Sequence, residues 1–84
     1  MSIETQIQEY LAENVLFSGG TFEYDNDASF LEEGIIDSVA IMDFVMFVEE
    51  TFNIIIEDHE IVPDNFDSVN KLTGYIRRKQ NHSG

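Results

Sequence analysis

The 84-residue chain has no cysteine, no tryptophan, a single proline and only four basic side chains. Without cysteine there is no disulfide, no thiolate metal site and no cysteine nucleophile, so any thiol chemistry has to come from a cofactor. Lys71, Arg77, Arg78 and Lys79 all lie in the last quarter, against 17 Asp and Glu, and the net charge is −13. A surface of that sign repels phosphate backbones and anionic lipid, which excludes nucleic acid as a partner. It steers the chain toward a protein with a basic patch. No basic-then-apolar leader is present, and no apolar run approaches the roughly 18 residues of a membrane span, so a cytoplasmic location is expected.

What is present is a globular composition, 43% hydrophobic and 25% charged. The length admits one small domain with a modest core. It is expected over residues 1–80, with residues 81–84 as a frayed tail, and as a monomer. Ile3, Ile7, Tyr10, Leu11 and Val15 recur at helical spacing, predicting a first helix capped by Ser2 and ended by Gly19-Gly20. A connection of about twenty residues follows, which is long for a loop unless it is functional or pinned. Phe17, Phe22, Tyr24, Phe30, Leu31, Ile35 and Ile36 are the candidate pins.

The period predicts a second helix from Ser38 to about Phe52, with Asp37 or Ser38 as N-cap and Asn53 as a left-handed exit. Ile54-Ile55-Ile56 has no strand to pair with and reads as an extended, partly buried connection. A short helical turn after Asp58, holding Glu60, Ile61 and Val62, is expected to stop at Pro63. The last helix begins near Asp67-Ser68, buries Val69, Leu72 and Ile76, and ends in Arg77, Arg78 and Lys79, where cations suit the helix dipole. The expected fold is all-α, a small four-helix bundle of three main helices and one short one, with a long loop between the first two.

At about 100° per residue, Ile41, Phe44, Val45, Val48 and Phe52 share one stripe of the second helix, the core face. Val39, Asp43, Met46 and Glu50 fall on the opposite side, with Phe47 and Glu49 flanking it. Apolar residues ringed by acids on a face that should be solvated point to a docking surface. Enzyme chemistry finds no support. There is no Gly-x-Ser-x-Gly turn, and His59 and His82 stand in a polar turn and the tail. Asp25, Asp27 and Ser29 begin like a calcium loop, but Phe30 replaces its glycine and Ile36 its final glutamate, so no metal site is expected.

Gly34-Ile35-Ile36-Asp37-Ser38-Val39, the helix after it and its acidic end Glu49-Glu50-Thr51-Phe52 resemble an acyl or peptidyl carrier protein over most of the chain. The resemblance implies that Ser38 receives 4′-phosphopantetheine from coenzyme A, and that the arm's thiol carries acyl or aminoacyl groups as thioesters. It also implies that Asp37 helps a phosphopantetheinyl transferase organise magnesium and the serine, and that Val39, Asp43, Met46, Phe47, Glu49 and Glu50 meet partner enzymes. A phosphodiester at the first residue of a helix would sit near free N–H groups and the positive dipole end.

Gly34 lies four residues before Ser38 where three is usual for fatty-acid-synthesis carriers. Val39 replaces leucine, and Ala40 stands where an acid is frequent. This lead-in and the segment from Pro63 to Val69 look more like stand-alone carriers served by adenylating ligases, D-alanyl carriers and isolated polyketide or nonribosomal-peptide carriers among them. Bulky Ile41, Phe44 and Phe47 leave little room for a long acyl chain. A second Asp-Ser-Val, Asp67-Ser68-Val69, lacks the docking residues after it and reads as a helix cap. Two other readings fit the same residues: a fatty-acid-synthesis carrier, and an unmodified acidic helical adaptor for a basic protein, with Ser38 only a cap.

Overall fold

The computed structural model describes residues 2–16 and 22–81, which are helical with no strand among them. The order is α1 (Ile3–Asn14), α2 (Ala40–Phe52), a 3₁₀ turn (Asp58–Glu60), α3 (Pro63–Phe66) and α4 (Val69–Asn81). The expected small bundle is the observed one. Gly19-Gly20, Phe17 and residues 82–84 of the expected tail lie outside the described residues, while Asn81 is the last residue of α4.

α1 starts where Ser2 Oγ accepts the Thr5 N–H at 3.1 Å, satisfying one of the orphan donors of a helix start. Its spacing buries Ile7, Leu11 and Ala12. α2 buries Phe44, Val45, Val48 and Phe52, with Ile41 half-buried, and ends at Asn53 in the left-handed region (φ 56°). Asparagine tolerates that conformation well. An aromatic stack locks the two helices together. The Tyr10 ring lies 4.1 Å from Phe47 and 5.6 Å from Phe44, and Phe30 meets Phe44 edge-on at 5.9 Å. α4 packs against α1 and α3 through Val69, Leu72, Tyr75 and Ile76.

Pro63 opens a helix where the sequence reading had it end one. At the first helical position its missing N–H is not needed and its fixed φ suits the turn. The peptide carbonyl of Val62 accepts the Asn65 and Phe66 N–H groups at 3.0 and 3.1 Å. Glu60 ties this corner to α4, its carboxylate 2.9 Å from Lys79 Nζ, and that lysine holds the Glu60 carboxyl below its ordinary range.

Ser68 caps α4 as expected, its Oγ accepting the Lys71 N–H at 3.0 Å. Asp67 does not share that task. Its carboxylate accepts the Ser29 hydroxyl (2.5 Å) through one oxygen and the Leu31 N–H (3.0 Å) through the other, while its carbonyl accepts the Phe30 N–H (2.8 Å). Asn70 continues the seam, donating its N–H to Asn26 O and its side-chain amide to Asp27 Oδ1. Of the expected loop pins, Phe30, Ile35 and Ile36 are buried and Phe22 packs on the core. Leu31 (60% exposed) and Tyr24 (37%) are not pins, and polar contacts to Asp67 and Asn70 hold this stretch in their place.

Phe44 is fully buried beneath Tyr10 and Phe30. Phe44→Ala is expected to cost about 3–5 kcal/mol, a large share of the roughly 5–15 kcal/mol available to a small domain. Urea unfolding followed by circular dichroism measures it.

Candidate functional site

Residues 29–37 deliver the chain to Ser38. Gly34 closes a turn with φ 68°, a conformation that favours glycine, its N–H donating to Leu31 O at 3.3 Å. The Phe30 carbonyl then accepts the N–H groups of Ile35 (2.8 Å) and Ile36 (3.3 Å), and both isoleucines are buried. The chain emerges at Asp37. Of the two candidate caps it is Asp37 that acts, its Oδ1 accepting from Ala40 N–H at 2.8 Å and Val39 N–H at 3.0 Å. Donation by Ala40, then by Val39, holds the Asp37 carboxyl below its ordinary range. The N–H groups expected to be free for a phosphodiester are therefore already engaged.

Ser38 sits in the turn after this cap, exposed, and no hydrogen bond among the described residues uses its hydroxyl. An apolar groove of about 190 Å³ opens beside it, lined by Asp37 and Ser38 and by Leu31, Ile36, Ile41, Ile61, Val62 and Phe66. A cavity of about 150 Å³ holds a benzene-sized guest, so this space suits a small group. Of the three bulky residues expected to crowd it, only Ile41 lines the groove; Phe44 and Phe47 turn toward Tyr10. An exposed, unbonded hydroxyl fits a covalent arm, because esterifying it breaks no contact of the fold. Ser68 is the opposite case, 2% exposed and committed to the α4 cap.

On α2, Val39 (80%) and Met46 (55%) are exposed, with Asp43 and Glu50 exposed beside them. Met42, 56% exposed, belongs to the same surface. Sequence reading passed over it, although it stands four residues from both Ser38 and Met46, the spacing that stacks side chains on one face. Two expected members are turned to other uses. Phe47 is half-buried in the Tyr10 stack, and Glu49 accepts the Ile56 N–H at 2.9 Å, holding the connection after α2. Among the described residues, no group of three His, Asp or Glu side chains is arranged to hold a metal ion, and no helix is long and apolar enough to cross a membrane.

Because the Asp37 carboxyl is depressed in the folded chain, its contribution to the α2 start is fully present above the unfolded value of about 3.9. It is lost as pH falls through the lower folded value. An NMR titration following the Ala40 and Val39 amides is expected to show a midpoint below that of an ordinary aspartate, and Asp37→Asn is expected to remove the transition.

Residues 5–76 match the phosphopantetheine attachment site family. Over 80 residues, 95% of this chain and 96% of each relative, the sequence is 31% identical to D-alanyl carrier proteins from two strains of Lactobacillus delbrueckii subsp. bulgaricus. Stand-alone carriers of this kind are the ones that the residues around Gly34 and from Pro63 to Val69 resembled.

Proposed function

This chain belongs to the phosphopantetheine attachment site family, and on that premise we propose that Ser38 bears the 4′-phosphopantetheine arm and that the cargo is a small aminoacyl group activated by an adenylating ligase. The observation that carries the assignment is the exposed Ser38 hydroxyl, free of hydrogen bonds, at the mouth of an apolar groove. During loading, Ser38 Oγ gives up its proton and forms a phosphodiester with the pantetheine phosphate of coenzyme A, and the pyrophosphate bond breaks to release adenosine 3′,5′-bisphosphate. The arm supplies the thiol that a chain without cysteine lacks. Asp37 presents the serine by fixing the first turn of α2 and offers a carboxylate to the magnesium held by the transferase.

Two observations favour a small amino acid, D-alanine foremost, over a long acyl chain: the relatives' names and a groove of about 190 Å³. Partner enzymes, the transferase and the ligase among them, meet Val39, Met42 and Met46 with apolar side chains, and Asp43 and Glu50 with basic ones. The exposed thioethers and valine supply contact area, and the acids supply steering.

Incubation with coenzyme A, magnesium and a broad-specificity transferase is expected to add the mass of one 4′-phosphopantetheine to the wild-type chain and none to Ser38→Ala. Mass gained by Ser38→Ala would move the assignment to another serine. No gain by the wild type with several transferases would end the carrier reading. The loaded chain is expected to accept D-alanine from a D-alanine-adenylating ligase in preference to a long fatty acid. The double variant Asp43→Lys, Glu50→Lys is expected to raise the transferase KM several-fold and to flatten its salt dependence, with kcat unchanged, in steady-state assays over a range of ionic strength.

A further inference from the structure

We propose that Asp67, far from Ser38 in sequence, is a positioning residue for it; the inference rests on the assignment of Ser38 as the attachment point. The steps are hydrogen bonds and one peptide link. Asp67 terminates α3, its N–H donating to Pro63 O at 3.0 Å. Its carboxylate receives the Ser29 hydroxyl and the Leu31 N–H, and its carbonyl receives the Phe30 N–H. Phe30 is thereby fixed at its N–H, and its own carbonyl accepts both Ile35 and Ile36 N–H groups. Ile36 is joined directly to Asp37, whose carboxylate starts α2 beside Ser38. One residue thus ties Phe30 and Leu31, which line the groove, to the end of α3, whose Phe66 lines it too.

Asp67 also borders the groove. Its position explains the second Asp-Ser-Val motif: the serine caps α4 and leaves the aspartate free to reach the loop. Without that carboxylate, residues 29–36 lose two of their ties to α3, and Ser38 occupies its presented position for a smaller fraction of the time. A partner that binds only the presented form then sees a weaker apparent affinity, in proportion to that fraction, while turnover of the bound form is unaltered.

The test measures transferase kinetics with coenzyme A on wild type, Asp67→Ala, Asp67→Asn, Ser29→Ala and Ser68→Ala, together with hydrogen exchange at residues 29–36. Asp67→Ala is expected to raise the KM for the carrier about tenfold with kcat unchanged and to speed exchange at the Leu31, Ile35 and Ile36 amides. Asp67→Asn, which keeps an oxygen for the Leu31 N–H, is expected to recover most of the KM. Ser29→Ala, which removes the Asp67 bond together with the one Ser29 Oγ accepts from the Glu32 N–H but keeps the Asp67 bonds to Phe30 and Leu31, should give a smaller rise, and serves should Asp67→Ala fail to fold. Ser68→Ala weakens the α4 cap and is expected to leave KM unchanged. A wild-type KM in both Asp67→Ala and Ser29→Ala overturns the proposal, as does an equal rise in Ser68→Ala, which would make the effect one of stability. Failure of the wild type to load is a different outcome and removes the assignment of Ser38 itself.

Discussion

The carboxylate of Asp67 receives two donors from a stretch of chain more than thirty residues earlier, and the neighbouring backbone carbonyl receives a third. Much else in the molecule depends on this junction. Among the described residues the connection between α1 and α2 has neither helix nor strand, and only some of its backbone groups satisfy one another in turns, as at Phe30, Leu31 and Gly34. A loop of that length is costly to order, and the cost is met only where contacts fix it. Phe30, Ile35 and Ile36 supply apolar burial, but burial alone sets neither direction nor register. The hydrogen bonds to Asp67, with those of Asn70 to Asn26 and Asp27, do. The turn from α3 into α4 therefore acts as the template for the loop that presents Ser38.

Charge sets the second constraint. Seventeen acids against four bases push the compact state apart, and the ion pairs among the described residues, Arg77 with Glu4 and Lys79 with Glu60, offset little of it. The core compensates through tight aromatic packing of α1 on α2, where Tyr10, Phe44 and Phe47 stack and Phe30 closes the edge. Phe47 is thereby consumed by folding. What remains exposed and apolar is the narrower strip of Val39, Met42 and Met46 beside Asp43 and Glu50, apolar contact area in an acidic field. A strip of this composition costs solubility unless it is covered part of the time, which is what a carrier handed between enzymes requires.

The helices were legible because their apolar residues keep a 3.6-residue period, and Ser2, Ser68 and Asn53 stand where caps and exits favour them. The candidate site was legible in part. Asp37 and Ser38 were singled out by their lead-in and the helix that follows. A helical wheel gives each side chain a direction but not the neighbour it meets. Phe47, placed on the outer face, finds Tyr10 of α1 there, and Glu49 finds the Ile56 N–H across the end of its own helix. Pro63 was misread because proline stops a helix from within yet opens one at the first position, and the choice depends on where Val62 turns. The role of Asp67 left no local trace, since its partners are remote in sequence and mostly backbone groups.

The two Asp-Ser-Val triplets show how little a short motif determines by itself. In each, one side chain caps a helix and the other is released from that duty. At residues 37–39 the aspartate caps, closing on the N–H groups of Val39 and Ala40, and the serine is left exposed with an unbonded hydroxyl. At residues 67–69 the serine caps, buried against the Lys71 N–H, and the aspartate is left to bind the loop. The difference follows from what precedes each triplet. A buried loop segment, Ile35-Ile36, brings the first to the surface, whereas α3 brings the second directly into the core beside Phe66 and Val69. Which member of the triplet is free to act is set by packing on either side of it, and the free member of the second holds the first in place.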